Sequence, residues 1–123
     1  MKLLLLAFLA GLSGAAVAQP AVDIVGVRDN FIVSGLAAQK CNAGDDARRD
    51  VHDRNFTIVS RRAMESIMQR TPGADPEELR KQDLAHIEKL QDAALNLIRA
   101  EGCKSDKVRA LIRMHKMHET VRF

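Results

Sequence analysis

From residue 23 onward the chain falls into four stretches in which apolar side chains recur every three or four positions, separated by short polar breaks. In the first, Ile24, Val27, Phe31, Gly35 and Ala38 keep the helical interval, with Val25, Ile32 and Leu36 beside them. A helix is therefore expected over about residues 23–41. The β-branched content of residues 24–33 also admits a strand, but the length of the pattern and its period favour helix. Asn42-Ala43-Gly44 supplies residues that tolerate the left-handed cap, so the helix should end there.

The second stretch, residues 46–70, has Asp45 as its N-cap and Phe56, Val59, Ala63, Ile67 and Met68 as its apolar stripe. Thr71-Pro72-Gly73-Ala74 breaks it. The third has the strongest start signal: Asp75 as cap, Pro76 at the first helical position, then Glu77 and Glu78. Glu78 stands three residues after Asp75, as in a capping box. Leu84, Ile87, Leu90, Ala94, Leu97 and Ile98, widened by Leu95, make a broad stripe, and this helix is expected to be the most buried. Gly102 closes it. The fourth starts at Ser105 and turns Val108, Leu111, Ile112, His115 and either Met114 or His118 inward. The expected fold is all-α, a small bundle of about four helices with short connections.

The first residues read differently. Lys2 is a short basic segment, Leu3 to Ala10 is apolar, and Ala16-Val17-Ala18 is a small-x-small cleavage site. Residues 1–18 thus have the three parts of an export signal, and residues 19–123 form the single mature domain. The apolar run is shorter than the roughly 20 residues a spanning helix needs, and no later stretch is long enough to span a bilayer. No Cys follows the cleavage site to carry a lipid. The expected compartment is the periplasm, with the medium second.

Export changes how the two cysteines read. Cys41 and Cys103 would sit where disulfides form and persist, and two cysteines allow one intramolecular pairing. Closing a loop of about 60 residues is worth roughly 4 kcal/mol on chain-entropy arithmetic. The alternative is a pair of free thiols acting as metal ligands or a redox couple. No Cys-x-x-Cys and no haem-attachment motif is present to support it. Bonded, Cys41 and Cys103 would staple the end of the first helix to the turn between the last two.

Charge and composition narrow the function classes. Without Lys2 the chain carries 18 basic side chains against 16 acidic ones, too even a balance to imply a polyanion such as nucleic acid. Trp and Tyr are absent, which disfavours sugar and single-strand binding on aromatic platforms. No nucleophile elbow, His-Glu-x-x-His, phosphate loop or dinucleotide fingerprint occurs, so no catalytic residue is assigned and the protein is not expected to be an enzyme. Asn55-Phe56-Thr57 matches a glycosylation sequon inside an amphipathic helix and is read as chance.

Three clusters remain. Met114, His115, Met117 and His118 lie on the last helix, and thioether with imidazole suits copper; Met64 and Met68 are possible further donors. Set against this, methionines at helical spacing are ordinary packing material. Asp45, Asp46, Asp50, His52 and Asp53 could face a divalent cation, but Arg48, Arg49 and Arg54 are interleaved with them, which reads as a solvated face of ion pairs. Arg109, Arg113 and Lys116 form a basic stripe that could meet an anionic membrane or an acidic protein; cations near a helix C-terminus are the plainer reading.

The leading expectation is a small periplasmic interaction protein without catalytic activity: an inhibitor, an immunity-type protein, a chaperone or an accessory subunit. Its partner would be another periplasmic or secreted protein. In plan alone, a small helical bundle with one disulfide, it is similar to the acid-stress chaperones of the bacterial periplasm; no motif carries that likeness. The alternative is a periplasmic copper-binding protein using Met114, His115, Met117 and His118.

Overall fold

The computed structural model describes residues 22–123, so the export signal expected over residues 1–18 lies outside the described residues. The elements run α1 (Ile24–Lys40), a one-turn 3-10 helix (Asp46–Arg48) leading into α2 (Arg49–Arg70), α3 (Pro76–Glu101) and α4 (Asp106–His118). All regular structure among the described residues is helical, as the four-stretch pattern implies.

The helix ends follow their sequence signals closely. Asn42 takes a positive φ of 51°, and the amides of Asn42 and Ala43 donate back to the carbonyls of Gln39 and Ala38. This is the paired-bond stop that closes a helix on a left-handed residue. Asp75 accepts from the Glu77 amide at 3.1 Å, and Ser105 accepts from the Val108 amide at 3.2 Å. The capping box expected from Glu78 does not close. Its Oε1 accepts instead from Gln82, one turn further on.

α1 is the central helix and packs against α2, α3 and α4, while α3 meets α2 and α4 only sparsely. Only Arg28, Asp29 and Lys40 carry charge in its 17 residues, and a helix that is apolar on most sides belongs in the middle. Phe31, Ser34, Ala37 and Ala38 are buried on it; Val59 and Ala63 of α2 and Val108 of α4 are buried around it. Small residues at Ser34, Ala37 and Ala38 allow close approach, and Phe31 fills the larger gap beside them.

The expectation that the third helix is the most buried is therefore corrected. Its buried positions are Leu79, Asp83 and Ala94, whereas Ile87, Leu90, Leu95, Leu97 and Ile98 are half-buried and Leu84 is 60% exposed. The physical reason is Asp83. It takes the inward position of that turn to meet Arg28 of α1, which turns Leu84 about 100° away toward solvent.

Cys41 and Cys103 are joined, with Cα atoms 5.7 Å apart. The bond fastens the C-terminal end of α1 to the turn between α3 and α4, and both thiols are consumed. It also anchors the start of the loop from Asn42 to Asp45.

Candidate functional site

Beside that loop, α1, the loop itself, the start of α2 and the end of α4 enclose a cavity of about 760 Å³. Gly35 of α1 and Gly44 of the loop form two walls. His115 of α4 stands between them: a Cβ added at Gly35 would lie 4.0 Å from its Nδ1, and one at Gly44 would lie 3.9 Å from its Nε2. The rim carries Asp45, Asp46, Arg49 and Asp53, and the floor carries His52, His115 and Glu119.

The rim acids are engaged loosely. Asp45 faces Arg48 at 3.6 Å, Asp46 pairs with Arg49, and Asp53 lies 3.3 Å from His52 Nδ1. The arginine pairs are exposed and span three residues, and exposed pairs are worth little. Asp50 is exposed and does not line the cavity. The acidic cluster thus divides, with Asp45, Asp46 and Asp53 on the rim and His52 beneath them.

The floor is different in kind. The rings of His52 and His115 are 4.5 Å apart, and Glu119, the C-cap of α4, is only 3% exposed. Glu119 Oε1 comes within 2.9 Å of His115 Nε2 but makes no aligned hydrogen bond. Three buried atoms there have no hydrogen-bond partner: His52 Nε2, His115 Nδ1 and Glu119 Oε1. Burial, followed by the charge of nearby His52, pushes the pKa of His115 down, while Glu119 pulls it the other way. Burial and Glu119 thus act on His115 in opposite directions, and burial prevails.

His118 is placed apart from this floor. Its ring stacks on Phe31 with centroids 3.7 Å apart and planes 5° from parallel, and its Nδ1 is 3.3 Å from Ser34 Oγ. Burial, with smaller contributions from His52 and His115, pushes its pKa down to about 4. Asn55 holds the turn that follows: its Nδ2 donates to the carbonyl oxygens of His118 and Val121. The sequon asparagine is thus a buried strut between α2 and the end of α4.

The four residues singled out for copper are not gathered at one point. His115 faces the cavity, His118 lies against Phe31, Met114 is half-buried and Met117 is 57% exposed. Among the described residues no three His, Cys, Asp or Glu side chains are arranged to hold a metal ion. Arg109, Arg113 and Lys116 are all exposed on the outer side of α4. Sequence reasoning missed the joining of His52 to His115 and Glu119. The available signal was the pair His115 and Glu119 at i, i+4 on the inward side of the last helix; nothing local pointed to His52.

Comparison of the chain with protein families, with characterised proteins and with solved structures finds no match.

Proposed function

We propose that this is a small exported binding protein, periplasmic or secreted, that recognises another exported protein through the cavity between α1, α2 and α4 and does so without catalysis. An inhibitor, an immunity-type protein, a chaperone or an accessory subunit would each use such a site. The reading is carried by the cavity floor. Buried polar atoms are nearly always hydrogen-bonded, and each exception calls for an explanation. Here three residues that each carry such an atom, His52, His115 and Glu119, line one concave site. Its volume falls in the usual range for ligand pockets, roughly 300–1,000 Å³. The disulfide suits an oxidising compartment and fixes one wall of the site.

The test is capture of a partner from the exported fraction by the full chain and by two variants. Gly35→Leu projects a side chain into the cavity from a helical position, and Asp53→Arg reverses a rim charge. A partner recovered with the parent protein and lost with both variants, at unchanged helical circular dichroism, supports the reading. Equal recovery with all three proteins overturns it.

A further inference from the structure

The last helix is charged unlike the others. Residues 104–123 carry six basic side chains, Lys104, Lys107, Arg109, Arg113, Lys116 and Arg122, against Asp106 and the buried Glu119. Their net of +4 exceeds the formal +3 of the whole chain, so the remainder is net acidic. Elsewhere Arg48, Arg49 and Arg80 each meet an acid three residues back. On α4, Arg109, Arg113 and Lys116 are exposed and pair with no acid among the described residues; Lys107 alone approaches one, Glu101, at 3.9 Å.

The fold gains little from this arrangement. A helix dipole favours cations in the last turn, where Lys116 lies, and opposes them in the first, where Lys107 lies; the effect fades within a turn of each end. Arg109 and Arg113 therefore gain nothing from it. They repel each other at i, i+4, as Arg113 and Lys116 do at i, i+3. Met117, four residues after Arg113 on the same face, is 57% exposed, and Val121 and Phe123 are exposed just beyond the helix.

This face is the convex outside of a helix. Neither the cavity nor the smaller apolar groove beside Phe31 is lined by it. A protein partner would be held through anchors in packed pockets. A plane of anionic headgroups needs no pocket: each Lys or Arg brought near it strengthens binding about fivefold, and exposed apolar side chains add by entering the interface. The net acidic remainder of the chain turns the other faces away. We propose that the outer face of α4 docks on an anionic phospholipid bilayer, with Arg109, Arg113 and Lys116 against the headgroups and Met117 entering the interface. The contact is peripheral, since no helix among the described residues is long and apolar enough to cross a membrane. It leaves the cavity, on the other side of α4, free.

The experiment is cosedimentation of the disulfide-bonded protein with vesicles, using the chain without residues 1–18, whose apolar run would itself enter lipid. The vesicles are phosphatidylcholine alone or with about one-third phosphatidylglycerol, at low ionic strength. Binding is expected to the anionic vesicles, at least tenfold weaker to phosphatidylcholine, and lost at about 0.5 M salt, where surface charge is screened. Arg109→Gln with Arg113→Gln should weaken it about 25-fold and Met117→Ser about two- to fivefold, at unchanged helical circular dichroism. Lys81→Glu, at an exposed position on α3 with the same change in net charge, should bind within twofold of the parent. Equal binding to both vesicles, or an equal loss in Lys81→Glu and the double variant, would overturn the proposal. Poly-glutamate held tenfold more tightly than the anionic vesicles would overturn the lipid in favour of an acidic protein.

Discussion

Polar groups are buried on two sides of α1, one facing α3 and one facing α2 and α4, and the two interiors are built on opposite terms. Toward α3, Arg28 is 3% exposed and donates through both terminal nitrogens to the two oxygens of Asp83, each at 2.7 Å. Asp29 accepts from the same guanidinium at 3.0 Å and lies 2.6 Å from His86 Nε2. Burial alone would lower the Arg28 pKa, but its hydrogen bonds to Asp83 and Asp29 outweigh that and raise it. Toward α2 and α4, His52, His115 and Glu119 sit close together with an unpartnered atom on each. A closed polar network fixes how two helices meet; an open one leaves capacity for something outside the chain. The same central helix thus separates a closed polar interior from the one proposed to bind.

The sharpest way to break this comparison is at Asp83. Asp83→Asn keeps the shape but leaves Arg28 with Asp29 as its remaining counter-charge, and losing one partner of a buried pair costs about 3–5 kcal/mol. Urea denaturation should report a loss in that range. The double replacement Arg28→Met with Asp83→Leu removes both charges and should regain most of the stability. A loss below about 1 kcal/mol for Asp83→Asn would mean that the α1–α3 network is not the closed structural element described.

The disulfide is the next largest effect. Cys41→Ala should lower stability by about 2–5 kcal/mol, the usual cost in a small domain. It should also loosen the loop from Asn42 to Asp45, so amide exchange should quicken at Gly44 and Asp45 more than at Asp83. Uniform acceleration at all three would place the effect in the whole bundle instead of the cavity wall.

Acid should act on the α2–α4 side. The pKa of His118 is held near 4 and that of His115 below its ordinary 6.5, so between those values the unfolded chain binds protons that the folded chain refuses. Stability is then full above about pH 6.5 and falls as pH drops toward 4, by on the order of 1–2 kcal/mol after allowing for solvent screening. His118→Gln should flatten the slope of thermal midpoint against pH across this window. An unchanged slope would assign the acid sensitivity to groups other than the stacked ring on Phe31.

How legible these interiors were in the sequence depends on what each is made of. The helices, their ends at Asn42, Asp75, Gly102 and Ser105, and the Cys41–Cys103 pair could be read directly, because period and capping are local properties. Which helix is central could not be judged from α3, whose long stripe looks more like a core than it is. The clue lay in α1, where charge is nearly absent and small residues cluster. Arg28 and Asp83 are 55 positions apart, and neither carries a local sign that it will be buried. By sequence His52 belongs with its acidic neighbours along α2, and His115 with Met114, Met117 and His118 along α4. Only the packing of α2 against the end of α4 brings the two imidazoles together. The half-buried Leu90 and Leu97 consequently matter less than their sequence pattern implies.

The smallest expected effect on stability is the most discriminating, because it repeats the Asp83 change at the other interior. Glu119→Gln exchanges a carboxylate for its neutral isostere, as Asp83→Asn does. At Asp83 the change strips a counter-charge from Arg28. At Glu119 no arginine or lysine is present to be stranded: the nearest group is His115, whose Nε2 lies 2.9 Å away without an aligned hydrogen bond and whose pKa burial lowers. The amide retains an acceptor oxygen and gains donors that can meet an imidazole nitrogen. Stability at pH 7 should therefore stay within about 1 kcal/mol of the parent, with any change toward greater stability. Calorimetric melting of Asp83→Asn and Glu119→Gln side by side makes the comparison directly. A loss above about 2 kcal/mol at Glu119 would mean that its carboxylate already has a partner inside the fold, and the cavity floor would then be a second closed network instead of an open site.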